Sequence, residues 1–256
     1  MPFHRYVALG DSFAEGVGDP HPTSSNGLRG WADRVAAVLA QQTPDFGYAN
    51  LAIRGRKLDA VIAEQVEPAV ALAPDLVTIY AGGNDIMRPK VDIDALVERY
   101  DAALGKLAGT GARLLVFTAF DPGGSAIYRP LRGRFALYNE LVRRSADRHG
   151  ATIVDFWRFR VLRDWRYWDH DRLHLGPAGH QFMAIQVLDV LGVPHGVDQP
   201  DLPPEAVLTR GGRYRANAEW TRTHFVPWVR RRVTGRSSGD SVLPKRPGLA
   251  PWDEQH

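Results

Sequence analysis

Over its first three quarters the chain alternates short, almost unbroken apolar runs with longer stretches of helical apolar spacing. This alternation limits the fold more than any other feature. The runs at 6–9, 48–53, 76–81, 113–118 and 152–156 have the length of buried strands. Between them, residues 30–40 set Trp31, Val35, Val38 and Leu39 on one helical face, and residues 58–72 do the same with Leu58, Val61, Ile62, Val66 and Val70. Residues 93–108 and 135–149 read as further helices. A last one opens at Pro177, where a first-turn proline belongs, and runs through Phe182, Ile185, Val187 and Leu191. Strands that are apolar throughout and separated by helices imply a parallel sheet covered on both faces.

Right-handed crossovers leave only a few doubly wound orders for such a sheet. The expectation is an α/β chain with a flavodoxin-like three-layer α/β/α architecture, a five-stranded parallel sheet in the order 2-1-3-4-5 and a C-terminal extension. In that order the first and third strands are neighbours, and the topological switch between them is where open α/β sheets hold ligands. The expected division is a catalytic domain over 1–197 and an Arg/Pro-rich extension over 198–256, packed on the core or partly disordered. Within the extension, 216–233 reads as a helix carrying Trp220, Phe225 and Trp228 and interrupted by Pro227. Residues 235–256 lack periodicity and read as loop-like or disordered.

Composition excludes some chemistries. Without a cysteine there is no disulfide, thiolate zinc site or cysteine nucleophile. No apolar run approaches the roughly 18 residues of a membrane span. Nothing resembling a signal peptide precedes the first strand, so the default expectation is a cytoplasmic protein. The net charge of +3 is mildly basic. Much of it comes from tail arginines (Arg210, Arg213, Arg215, Arg222, Arg230, Arg231, Arg232 and Arg236), read either as a patch for anionic surfaces or, preferably, as a solvated face. No nucleic-acid module is visible, so no nucleic-acid partner is expected.

Chemistry-bearing residues stand at the ends of the expected strands or in the loop after the last. Ser12 leaves the first strand in Gly10-Asp11-Ser12, and Gly55 follows the second in Asn50-Leu-Ala-Ile-Arg-Gly55. Asn84 follows the third in Gly82-Gly-Asn-Asp85, and His174 closes Asp171-Arg-Leu-His174. Any one of these blocks is a common turn. In this order and on these elements, the chain resembles the SGNH (GDSL-type) hydrolase superfamily of esterases and lipases, over residues 6–191. The Gly-x-Ser-x-Gly elbow of the larger α/β-hydrolases is absent, since Ala14 stands two residues after Ser12.

A serine hydroxyl is a weak nucleophile at neutral pH and needs a base beside it. His174 can take the Ser12 proton and return it to the leaving group, with Asp171 holding the imidazole tautomer. The resemblance implies an oxyanion hole made of the backbone N–H groups of Ser12 and Gly55 and the side-chain amide of Asn84. Losing such a donor costs on the order of 3 kcal/mol of barrier. Asp11 and Asp85 are expected to support the loops around Ser12 and Asn84, or to act as plain caps. His180 is expected to be structural, and His170 is the less suitable base by its spacing. Trp157, Trp165, Tyr167 and Trp168 are expected to pack the core and anchor loops rather than line an acyl pocket, and 121–132 reads as a loop that can cap the substrate entrance. No metal is expected from Asp169, His170, Asp171 and His174, which lack an accompanying metal-ligand motif.

The resemblance thus implies a metal-independent, cofactor-free serine ester hydrolase working through an acyl-enzyme on Ser12, with a small-molecule ester as partner. Acyl esters, acetylated sugars and lysophospholipids are all substrates it allows. The alternatives are an acyltransferase using the same acyl-enzyme and a non-catalytic acyl-binding module. Oligomeric state is not legible.

Overall fold

The computed structural model describes residues 2–125, 127–204, 209–227, 230 and 237–253. Five parallel strands, β1 (Arg5–Gly10), β2 (Gly47–Asn50), β3 (Leu76–Tyr80), β4 (Arg113–Phe117) and β5 (Thr152–Val154), form the body of the sheet. A sixth, β6 (Arg246–Pro251), pairs antiparallel with β2, giving the order β5-β4-β3-β1-β2-β6. The expected order 2-1-3-4-5 is present, and the sheet is one strand larger than the sequence reading had it. The added strand, Arg-Pro-Gly-Leu-Ala-Pro, shows no alternation and carries two prolines, which an edge strand tolerates and a central one does not.

The central strands owe their positions to burial. All five residues of β3 are buried, as are all of β1 after Arg5, which only a strand covered on both faces can satisfy. In one helix layer α1 (Ser12–Glu15) and α8 (Pro177–Leu191) pack on α2 (Gly30–Gln42). The other holds α3 (Leu58–Val61), a π turn over Ile62–Val66 and α4 (Glu67–Ala71), together with α6 (Ile93–Ala108) and α7 (Arg132–Arg148). A short helix, α5 (Gly83–Ile86), follows β3 and touches α7. None of the described helices is long and apolar enough to cross a membrane.

The extension departs from the expectation at both ends. Its helix α9 spans Arg210–Trp220 and continues as a π turn over Thr221–Phe225, beginning six residues earlier than its apolar pattern announced. Within 235–256, where loop was expected, the chain re-enters the sheet as β6. Arg210, Arg215, Arg222 and Arg230 are exposed. Trp228, Arg231, Arg232, Arg236 and the side chain of Arg213 lie outside the described residues.

Lys245 fixes this segment. Its side chain, only 1% exposed, runs inward and donates to the carbonyls of Glu15 at 2.7 Å and Arg29 at 2.8 Å. It also donates to Asp33 Oδ2 at 2.6 Å. A buried amine survives because each of its donors meets an acceptor, one of them charged. Beside it, the Arg246 guanidinium lies over the rings of Tyr48 and Trp252, 5.7 and 5.0 Å from their centroids.

Candidate active site

Register brings the site residues to one edge of the sheet. Gly10 is paired with Tyr80, so the chains leaving β1 and β3 emerge side by side. Gly10 has φ +142°, and a Cβ there would land on the Tyr80 carbonyl oxygen, so no other residue fits without moving β3. Gln65, buried in the π turn, accepts from the Gly10 N–H at 2.8 Å and donates to the Gly10 carbonyl at 2.9 Å. The residue before the turn to Ser12 is therefore pinned from two sides. Asp11 caps the short helix that follows, its Oδ1 accepting from the Phe13 N–H at 3.0 Å.

Ser12, the first residue of α1, meets His174. The hydroxyl lies 3.0 Å from Nε2, and Nδ1 lies 2.6 Å from Asp171 Oδ2. The other Asp171 oxygen accepts from the backbone N–H groups of Leu173 and His174, at 2.9 and 3.0 Å. Burial works against the Asp171 charge, but the bond to the imidazole and these two N–H groups outweigh it and bring the carboxyl down to about 2. The turn closes because Arg172 takes φ +56°, an uncommon conformation for a residue with a side chain. The Asp169 N–H then donates to the His174 carbonyl at 2.9 Å. It is His174, not His170, that reaches Ser12.

Asn84 sits in α5, close behind Gly82, whose left-handed φ of +88° turns the chain out of β3. The phenol of Tyr138 donates to the Ala81 carbonyl and holds this turn from below. The Asn84 amide donates to Asp11 Oδ2 and to the Arg56 carbonyl, both at 3.0 Å, so it already joins the Ser12 loop to the Gly55 loop. Burial pushes the Asp11 carboxyl up to about 7 despite the N–H of Phe13. Asp85 accepts from the Leu58 N–H at 2.9 Å and so caps the helical stretch after Gly55; burial raises its carboxyl too.

Gly55 turns at φ +74°, and a Cβ there would land on the Ser237 hydroxyl of the extension. Among the described residues, the N–H groups of Ser12 and Gly55 have no hydrogen-bond acceptor within the protein. The neighbouring Arg54 is tied back to α1. The fully buried carboxylate of Glu15 takes its N–H at 2.6 Å and its guanidinium at 2.5 Å. Sequence reading missed Glu15, Gln65 and Lys245. Only Gln65 left a trace, as a polar residue interrupting the apolar face of 58–72.

A cavity of about 60 Å³ opens beside Ser12, His174 and Asn84. Its walls are mostly apolar, with Phe13, Phe120, Phe156 and Trp168 prominent among them. Trp168 packs on the core and anchors its loop as expected, its indole N–H donating to the Leu162 carbonyl at 2.6 Å, and it lines this pocket as well. The other aromatics hold the loops. Trp157 faces Arg132, Trp165 lies near Arg172, and Tyr167 packs on Phe182. His180 is fully buried, with Nδ1 accepting from the Trp31 N–H at 3.2 Å and Nε2 lying 3.1 Å from the Val17 carbonyl. It stands apart from Ser12, in the structural role expected of it.

The profile of the GDSL-like lipase/acylhydrolase family matches residues 8–182, which include Ser12, Gly55, Asn84, Asp171 and His174. The chain belongs to this family. As a GDSL-like acylhydrolase it is a carboxylic ester hydrolase acting on small-molecule esters. No curated protein matches the chain. Solved structures similar to this hydrolase share its fold at low identity. Axe2, an acetylxylan esterase from Geobacillus stearothermophilus, is 22% identical with a TM-score of 0.62, over 76% of this chain and 98% of that one. LAE5, an α/β hydrolase from the metagenome of Lake Arreo, is 23% identical with a TM-score of 0.61, over 74% and 95%. The psychrotrophic esterase EstA from Pseudoalteromonas sp. is 15% identical with a TM-score of 0.56, over 73% and 96%.

Proposed function

We propose that the enzyme cleaves short-chain carboxylic esters through an acyl-enzyme on Ser12, with His174 as general base and then acid and Asp171 as its orienting partner. The observation that carries this reading is the unbroken chain of hydrogen bonds from Ser12 through the His174 ring to Asp171, at 3.0 and 2.6 Å. Ser12 Oγ attacks the ester carbonyl as its proton passes to Nε2, which then protonates the departing alcohol oxygen. Water, deprotonated by the same nitrogen, releases the acid and restores Ser12. Asp171, held ionised down to about pH 2, stabilises the imidazolium formed in each half-reaction.

The oxyanion is assigned to the N–H groups of Ser12 and Gly55 and the amide of Asn84. Asn84 spends its hydrogens on Asp11 and Arg56 at rest, so it takes up the oxyanion by sharing or exchanging one of these bonds. The cavity of about 60 Å³, apolar and aromatic, suits a short acyl group of acetyl size rather than a long chain. Axe2, described as an acetylxylan esterase, is consistent with that size.

Hydrolysis of p-nitrophenyl esters from acetate upward tests both parts. The expected outcome is a rate highest at acetate and falling steeply with chain length, and no cleavage by Ser12→Ala beyond the background. Full activity in Ser12→Ala refutes the nucleophile; a maximum at long chains refutes the acyl size.

A further inference from the structure

The C-terminal extension also lies against the Gly55 loop, through a turn over residues 237–240. In that turn the Gly239 N–H donates to Ser237 Oγ at 3.2 Å, and Asp240 Oδ2 accepts from the Ser237 N–H at 2.9 Å. The turn thus holds its shape by bonds of its own. It follows the family-matched segment 8–182, so membership of the family gives it no role.

Opposite it, residues 53–56 form a type II turn. The Arg56 N–H donates to the Ile53 carbonyl at 3.3 Å, Arg54 keeps a negative φ, and Gly55 has φ +74°. A type I turn would close with the same hydrogen bond, but with the central peptide, Arg54–Gly55, turned over. Glycine accepts the φ of either form, so the loop alone does not choose between them. The bonds around it do not choose either. Glu15 holds the Arg54 N–H and guanidinium, and Asn84 holds the Arg56 carbonyl, none of which belongs to the central peptide.

The extension does choose. A Cβ on Gly239 would land on the Arg54 carbonyl oxygen, and one on Gly55 would land on the Ser237 hydroxyl. The carbonyl of the central peptide therefore faces the extension. In a planar trans peptide the N–H points the opposite way, so the Gly55 N–H faces away from the extension. Among the described residues it meets no acceptor there. Turned over, the same peptide would aim a partly negative oxygen where the N–H now points, and an oxyanion would be repelled.

We propose that the turn over 237–240 sets the orientation of the Arg54–Gly55 peptide and so aims one oxyanion donor, with Ser237 and Gly239 as positioning residues. The proposal rests on the acyl-enzyme and oxyanion reading given above.

Gly239→Ala puts a methyl group where the Arg54 carbonyl oxygen lies, and the loop can make room by turning that peptide over. On p-nitrophenyl acetate kcat should fall by roughly 10²-fold, the loss of one oxyanion donor, with KM and the pH midpoint of the rate unchanged. The inhibition constant of trifluoroacetone, whose adduct on Ser12 carries an oxyanion, should rise by a similar factor. Gly248→Ala, in β6 with nothing within 4 Å of the added methyl, should match the wild type in both. Ser237→Ala removes the bond that holds Gly239 and adds no bulk. It should lower kcat alone by roughly three- to tenfold, and it decides the matter if Gly239→Ala does not fold. An unchanged kcat in the folded variants, a loss carried by KM, or an equal loss in Gly248→Ala overturns the proposal. Failure of the underlying reading shows elsewhere: Ser12→Ala or Asn84→Ala would then keep the wild-type kcat.

Discussion

Asn84 bridges two loops at rest and is proposed to serve the oxyanion as well, and a substitution tests the second role. Its amide joins Asp11 to the Arg56 carbonyl at rest, at 3.0 Å each, and is assigned to the oxyanion during reaction. Asn84→Ala should therefore lower kcat on p-nitrophenyl acetate by roughly 10²–10³ with little change in KM, as measured by steady-state kinetics. A loss confined to KM would mean that the amide serves binding alone. His180 gives a prediction about stability. Burial holds its pKa down at about 4, against 6.5 for the free side chain. Between these values the unfolded chain takes up a proton that the native state refuses, so this residue makes stability fall as pH drops from 6.5 towards 4, and no further below that. The ceiling on the loss is on the order of 3 kcal/mol. Urea denaturation at pH 7 and at pH 4.5 should show a larger drop for the wild type than for His180→Gln. That comparison cancels the opposite trend from Asp11 and Asp85, whose raised carboxyls favour the native state as pH falls. Equal drops in the two proteins would show that His180 protonates without cost.

At the scale of elements, the five parallel strands and the longer helices of the first 191 residues were legible because each depends on neighbours in sequence, whereas Ser12, Gly55, Asn84, Asp171 and His174 were picked out only by the resemblance that their four blocks carry together. An apolar run marks where a strand ends and a turn begins, but not which turn is a site. The Asp171–His174 pair is local too, three residues apart within one turn. The clamps that hold these pieces were not legible. Gln65 grips Gly10 from 55 residues away, Glu15 grips Arg54 across 39, and Lys245 reaches Asp33 across 212. A polar residue whose partner is that distant leaves no periodic mark. The loop reading of 235–256 failed for a related reason: β6 is recruited by the open edge of β2 and not by its own propensity. This gives a direct test. Lys245→Met leaves Asp33 buried without its counter-charge and should cost about 3–5 kcal/mol in urea denaturation. Near-wild-type stability in that variant would show that β6 merely rests on the edge of the sheet.

For the whole molecule, the last strand and the first helix form one mechanical unit. Lys245 bonds the carbonyl of Glu15, the residue that ends the helix bearing Ser12, and the carboxylate of Glu15 holds Arg54 beside Gly55. The extension contributes on a second front, where Arg172 of the Asp171–His174 turn reaches Asn217 and Trp220. The Ser12 helix and the Asp171–His174 turn are thus both braced by residues that follow the family-matched segment. The order in which a ribosome delivers these parts then matters. When residue 182 has been made, the family-matched segment is complete, yet the edge of β2 is still unpaired and Asp33 still lacks its cation. An open strand edge in a growing chain invites pairing with a neighbour, so the interval before residue 251 emerges is when this protein most needs to be kept from its own kind.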